Sequence, residues 1–200
     1  MIFQWEIGDV YRLKVPFDDV YTSVFLIKGE DGNVLVDCAT TSEDVEKRIA
    51  PALLKTGLTF KDIKYLVLTH QHSDHAGGKE RILQLNPNIV LIEGKSQIFL
   101  NGLTRYELKG HTLDCIGVFD ERSGTLIAGD GLQGAGVGKY KLSLESKEAY
   151  FQTLANIKKN KRIENILFSH AYEPWKKDSA LGREEVEKRL QDCEICAKGE

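Results

Sequence analysis

The stretch Ile63 to His75 constrains this chain more than any other. Ile63-Lys64-Tyr65-Leu66-Val67-Leu68 reads as a short buried strand, and Thr69-His70-Gln71-His72-Ser73-Asp74-His75 comes directly after it in the pattern H-x-H-x-D-H. Four side chains able to hold a metal fall within six residues. At the chain's own frequencies of histidine and aspartate, the pattern would arise by chance about twice in ten thousand sequences of this length. Scattered surface histidines are therefore a poor account of it. Imidazole with carboxylate suits zinc, iron, manganese or nickel, and no thiolate is present in the set to select copper(I) or an iron–sulfur cluster. A loop leaving a strand end can turn successive side chains toward different faces, which helical i, i+4 spacing cannot do for this set. The segment is expected to be such a loop, with a site at the strand's carboxyl end.

The other two of the chain's five histidines also sit at strand edges. His111 lies in Gly110-His111-Thr112, ahead of a predicted strand, and His170 comes just after the predicted strand Asn165 to Phe168. Asp130 stands in the same relation to Leu126-Ile127-Ala128-Gly129. Taken singly, each is more often a turn cap or a solvated residue, by about ten to one. Spacing alone does not unite them with the first cluster.

With 200 residues, 42% hydrophobic and 28% charged, the chain reads as one continuous globular domain over residues 1–200. Such a chain buries about 70% of the surface its unfolded form exposes, so its four cysteines need not act as staples. A net charge of -3 provides no basic footprint for nucleic acid or an anionic membrane, and neither partner is expected. No run approaches the ~18 apolar residues of a membrane span. The opening Met1-Ile2-Phe3-Gln4-Trp5-Glu6 carries an acid where a secretory leader is basic, so a cytoplasmic setting with reduced thiols is the expectation.

Val20 to Lys28 and Val34 to Asp37 read as a hairpin across Gly29-Glu30-Asp31-Gly32-Asn33. A helix is predicted from Ser42 to about Lys55, with an imperfect capping box because Val45 stands three residues later. Further helices are predicted over Lys79 to Leu85, Glu145 to Lys158 and Arg183 to Cys196. Strands are predicted over Ile89 to Glu93, Leu103 to Leu108, Cys115 to Phe119 and Thr125 to Ala128. Two blocks of strands, each succeeded by helices, imply an α/β fold with sheets packed together and helices outside.

At this point the chain resembles the metallo-β-lactamase-fold hydrolases, in the short glyoxalase II-like or lactonase-like subgroup. The resemblance runs from Val34-Leu35-Val36-Asp37 through Thr69 to His75, Gly110-His111-Thr112 and Ala128-Gly129-Asp130 to Ser169-His170. It implies a four-layer αββα sandwich. It also implies His70, His72 and His111 as ligands of one metal, Asp74, His75 and His170 of a second, and Asp130 bridging both. Asp37 matches a position behind the ligands, and Thr69 and Thr112 are candidates for the same supporting role, with a structural hydrogen bond an equal reading for each threonine. Two divalent ions are implied, zinc first, with iron or manganese as alternatives.

Departures narrow the subgroup. The di-iron oxidoreductases of this fold carry glutamate where this chain has His72, and lactam-hydrolysing enzymes with a zinc-binding cysteine carry it where this chain has Asp130. Glyoxalase II-type thioesterases add a sizeable C-terminal helical region for glutathione, whereas 30 residues lie beyond His170 here. The resemblance thus implies a binuclear hydrolase of a small ester, thioester or lactone, in which paired metals lower the pKa of water and leave a bridging hydroxide aimed at a carbonyl. Asp74 and Asp130 are its catalytic carboxylates, Asp74 as proton relay. A mononuclear-iron persulfide dioxygenase and an idle metal-binding scaffold are the alternatives.

Gly129-Asp130-Gly131-Leu132-Gln133-Gly134 is a literal G-x-G-x-x-G, but a pyrophosphate there would meet a carboxylate, and the glycines after it cannot open a helix. A mobile loop bordering the site is expected instead, with Lys139 and Tyr140 as substrate contacts. Tyr172 and Trp175 are candidate pocket walls, with core packing an equal reading. Cys193-Glu194-Ile195-Cys196 lacks the second pair that a tetrahedral zinc site needs, and reads as incidental thiols.

Overall fold

In a computed structural model that describes every residue except 99, 101 and 200, the chain divides into two compact units, Met1–Asn101 and Gly102–Glu200. The first unit is built on a six-stranded sheet in chain order: β1 (Gln4–Ile7), β2 (Val10–Phe17), β3 (Val20–Ile27), β4 (Asn33–Val36), β5 (Ile63–Val67) and β6 (Val90–Ile92). The strands β1 to β4 form an antiparallel meander, and β4, β5 and β6 run parallel. The expected hairpin is β3–β4. The pair β1–β2 was not expected from the sequence.

The helical elements of this unit are α1 (Ser42–Asp44), a wider π-type turn (Val45–Ile49), α2 (Ala50–Lys55), a tighter 3-10 turn (Phe60–Asp62), α3 (Ser73–Ala76) and α4 (Lys79–Leu85). Leu26, Leu35 and Leu66 of the sheet join Val45, Ile49, Leu53 and Ile82 of the helices in one buried cluster. The helix cap lies one residue earlier than the sequence reading places it. Thr41 Oγ1 accepts from the Asp44 N–H at 3.1 Å, and Asp44 Oδ2 accepts from the Thr41 N–H at 3.0 Å. A complete capping box results, with aspartate in the place of the missing glutamate.

The second unit contains β7 (Leu103–Glu107), β8 (Ile116–Asp120), β9 (Thr125–Gly129), β10 (Gly136–Val137), β11 (Tyr140–Lys141), α5 (Lys147–Lys159), β12 (Asn165–Tyr172), β13 (Lys177–Leu181) and α6 (Arg183–Lys198). Five strands make a sheet in the order β13-β12-β9-β8-β7, parallel only between β9 and β12. Strand β12 extends four residues beyond the predicted Phe168, because β13 pairs with it as far as Tyr172↔Lys177. His170 therefore lies within the strand rather than after it.

The glycine-rich segment is not the free loop expected but the hairpin β10–β11, tied to the end of β12. The Ala135 N–H donates to Glu173 O at 2.7 Å and the Glu173 N–H to Gly136 O at 2.8 Å. A Cβ on Gly134 would stand 2.0 Å from Glu173 O, so glycine there permits close backbone approach. Among the described residues no helix is long and apolar enough to cross a membrane.

Close approach also explains Gly77, which ends α3. A Cβ there would come within 1.8 Å of Thr40 O and 2.5 Å of Ser73 O. Gly77→Ala, which favours an isolated helix, is expected instead to destabilise the protein by about 1–3 kcal/mol through forced displacement of backbone, measured by urea denaturation.

Candidate metal centre

The donor residues fall into two clusters, one in each unit, and in both a parallel strand pair sets their positions. Parallel neighbours end on the same side, so the loops that leave their carboxyl ends meet. In the first unit the Asp37 N–H donates to Val67 O at 2.8 Å, extending the β4–β5 ladder by one step into the two loops.

Asp37 then organises the loop after β5. Its side chain is fully buried and accepts three hydrogen bonds: from the Thr69 N–H on Oδ1 at 2.8 Å, and on Oδ2 from the Thr69 hydroxyl at 2.9 Å and from His75 Nδ1 at 2.7 Å. These contacts fix proton positions. The Thr69 hydroxyl proton points to Asp37, so Thr69 Oγ1 accepts from His70 Nδ1 at 3.2 Å, and the neutral His70 carries its lone pair on Nε2. That atom lies 3.1 Å from His72 Nδ1. Asp37 likewise takes the Nδ1 proton of His75, which leaves Nε2 as the outward ring atom, 3.1 Å from Asp74 Oδ2. The His70 ring lies 4.7 Å from that of His72 and 4.2 Å from that of His75, centroid to centroid.

The H-x-H-x-D-H segment is only partly the loop expected. His70 to His72 are non-helical, whereas Asp74 and His75 lie on the single turn α3, for which His72 occupies the N-cap position. One turn suffices because adjacent helical residues point about 100° apart. Cys38 anchors this turn, its N–H reaching His75 O at 2.8 Å and its thiol the same oxygen at 3.1 Å.

In the second unit Asp130 comes directly after β9, and His170 lies in the parallel neighbour β12. Tyr172, two residues on and buried, donates its hydroxyl to Asp130 Oδ1 at 2.6 Å. His170 Nε2 lies 3.4 Å from the same oxygen, and His111 Nε2 lies 3.9 Å from Asp130 Oδ2. His111 Nδ1 meets the Ser143 carbonyl at 2.7 Å, and a carbonyl can only accept, so the proton is on Nδ1 and Nε2 is the ligand atom.

In each cluster a hydrogen-bond partner holds the opposite ring nitrogen of a candidate ligand, as in metal-binding histidines. The donors are imidazole nitrogens and carboxylate oxygens, a set that fits zinc. In the first unit the candidate groups are mutually close: His70 with His72, His70 with His75, and Asp74 with His75 each offer ligand atoms within 4.8 Å.

Other predicted residues take different places. Thr112 donates its hydroxyl to Asp114 Oδ1 at 2.7 Å and lies 3.0 Å from Cys115 Sγ, a turn contact of the structural kind. Lys139 and Tyr140 lie at the exposed end of the β10–β11 hairpin, the ammonium 5.3 Å from the ring centroid. Trp175 packs against Phe168 and Tyr172, donates its indole N–H to Lys177 O at 2.9 Å and lies under the Arg189 guanidinium. Burial pushes the Cys115 and Cys193 thiols up to about 12 and the Cys38 thiol higher still, which leaves them poor nucleophiles. Sequence reasoning missed Gln133 and Ser143. The first lies three residues after Asp130 within a motif read only for its glycines, and the second acts through its backbone, which no residue type announces.

The sequence profile of the metallo-beta-lactamase superfamily matches residues 17–101. A hydroxyacylglutathione hydrolase from Psychromonas ingrahamii is 26% identical over 152 residues, covering 63% of this chain and 59% of that enzyme. One from Vibrio cholerae is 26% identical over 196 residues, covering 85% of this chain and 73% of its own. The chain thus spans about three fifths of the length of the first relative. A metallo-β-lactamase from Pseudomonas aeruginosa, solved in a mono-zinc form, shares the fold with a TM-score of 0.72 over 98% of this chain and 95% of that one, at 19% identity.

The Asp37 network gives a clean substitution. Asp37 has φ 61°, a left-handed conformation that asparagine also tolerates, so Asp37→Asn changes hydrogen bonding without changing backbone strain. Its amide nitrogen must face one of three donors, and a loss of about 1–3 kcal/mol is expected from the unsatisfied group, measured by denaturant melts of metal-free protein.

Proposed function

We propose that the chain is a member of the metallo-β-lactamase superfamily and, within it, a binuclear metal-dependent hydrolase of a small ester, thioester or lactone. The observation that carries this reading is the hydrogen bonding of the ring nitrogens in the two clusters. Thr69, Asp37 and the Ser143 carbonyl each engage the Nδ1 atom of His70, His75 and His111, which turns three Nε2 atoms toward other donors of the set. Under this reading His70, His72 and His111 would hold one ion and Asp74, His75 and His170 the other, with Asp130 available to both.

When bound, such ions lower the pKa of water toward 7 and polarise a carbonyl oxygen. The chain's own groups supply the rest. Asp37 holds the Nδ1 proton of His75 and orients its ring, and Tyr172 restrains one oxygen of Asp130. Asp74, whose carboxylate lies beside His75, is the group proposed to take a proton from the attacking water and return it to the leaving group. Lys139, Tyr140 and Trp175 are proposed to contact the substrate. A thioester is supported by the hydroxyacylglutathione hydrolases among the relatives, and zinc by the mono-zinc lactamase of the same fold. The acidic net charge of -3 supports a small-molecule substrate over nucleic acid, and the proposal includes a cytoplasmic setting.

Metal analysis of the purified protein is expected to give two zinc ions per chain. Chelation should abolish hydrolysis of an ester, thioester and lactone panel, and added zinc should restore it. One iron per chain, or full zinc with no turnover on the panel, overturns the proposal. Asp74→Asn, assayed with saturating zinc, is expected to lower kcat by about 100-fold or more with KM little changed; equal turnover at full metal occupancy removes Asp74 from the proton path.

A further inference from the structure

We propose that Gln133 is a positioning residue that couples His111 to Asp130, with Tyr150 as its anchor; this rests on the metal-centre reading above. Gln133 is 4% exposed, and its side-chain amide has a polar neighbour at each end. Its Oε1 accepts from the Ser143 N–H at 3.3 Å, while its Nε2 approaches Asp130 Oδ2 at 3.5 Å and lies 3.1 Å from His111 Nδ1. The reversed amide would set an oxygen against the Asp130 carboxylate and an NH2 against the Ser143 N–H. The observed orientation matches donor to acceptor at both Asp130 and Ser143, while His111 Nδ1, whose proton goes to the Ser143 carbonyl, is a packing neighbour of the amide and not its acceptor.

Ser143 makes this a coupling. The same residue that donates its N–H to Gln133 accepts the Nδ1 proton of His111 on its carbonyl at 2.7 Å. Gln133 thus holds the peptide segment that sets the His111 tautomer and ring plane, and with the other end of the same amide it limits rotation of Asp130. Tyr172 restrains Asp130 Oδ1 at 2.6 Å, so the two carboxylate oxygens have separate protein donors.

The base of the Gln133 side chain is fixed as well. The Tyr150 hydroxyl, buried on α5, accepts from the Gln133 N–H at 2.9 Å and donates to the Gln133 carbonyl at 2.6 Å. One hydroxyl satisfies both backbone groups of one residue. An amide three bonds out from a backbone clamped in this way has little freedom, as a positioning group requires. Methionine has nearly the same length and volume but neither donor nor acceptor capacity of this kind.

The test compares wild type with Gln133→Met. Zinc affinity is read by competition with a chromophoric chelator, the histidine site by the visible spectrum of the cobalt(II)-substituted protein, and folding by the melting temperature of the metal-free form. The expected result is zinc affinity weakened by about 10–100-fold for at least one ion and a shifted cobalt spectrum, with the metal-free protein still folded. Tyr150→Phe, which keeps the amide and releases its backbone, is expected to move both readouts in the same direction, and it serves as the test if Gln133→Met does not fold. Unchanged zinc affinity and cobalt spectrum in the folded variants overturn the positioning role and leave the proposed function standing. A wild type that takes up neither zinc nor cobalt overturns the metal-centre reading, and the positioning role with it.

Discussion

The buried carboxylate of Asp37 is the contact on which the first donor cluster depends. One side chain, fully inaccessible to water, gathers the Thr69 amide, the Thr69 hydroxyl and the His75 ring within 2.9 Å. Burying an ionised carboxylate costs several kcal/mol unless hydrogen bonds replace its hydration. Three donors do so here, and each is thereby fixed in direction. His75 and, through Thr69, His70 receive their tautomers from this residue, so the chemistry of two rings is decided by a group that contacts solvent nowhere. The residue sits at φ 61°, a backbone state that costs most residues about 1 kcal/mol or more and aspartate less. The network holds it there.

Both units solve the placement problem with the same device. A parallel pair, β4–β5 in one and β9–β12 in the other, brings two carboxyl ends side by side. Asp37 stands beside Thr69 in the first, and Asp130 beside the end of β12 in the second. Antiparallel neighbours would have sent these residues to opposite edges. The long connections that parallel pairing demands are filled by α1 and α2 in one unit and by α5 in the other, and α5 also delivers Tyr150.

Much of this is legible in the sequence. Strands and helices show where apolar residues keep a period or stand in a compact run, as in Ile63 to Leu68 and Glu145 to Lys158, and the four clustered metal-capable residues show by improbability. The illegible parts trace to the kind of information involved. The extension of β12 past Phe168, which places His170 inside a strand, comes from pairing with β13, a partner whose register no local pattern of apolar residues announces. The pinned hairpin at Gly136 depends on the backbone of Glu173, and glycine looks the same whether it gives freedom or permits contact. Thr41 is hidden as a cap because aspartate, not glutamate, completes its box. Ser143 acts through a carbonyl, which every residue possesses.

The donor clusters also bear on stability. His70, His75, Asp74, His111, Asp130 and His170 are all buried polar or ionisable groups, and such groups weaken a fold unless their hydrogen bonds are complete. Protein partners satisfy the outer side of several of them: Thr69 behind His70, Asp37 behind His75, Ser143 behind His111 and Tyr172 beside Asp130. The inner side is where like groups crowd together, with an imidazole nitrogen 3.1 Å from another imidazole and a second 3.1 Å from a carboxylate. A proton can serve such a pair, and so can a divalent cation, which several donors can share at once. Ligand binding to the folded state alone adds to its stability by mass action. A fold that preorganises nitrogen and oxygen donors in this way therefore gains most when the ion is present, which ties the strength of the folded state to occupancy of the site.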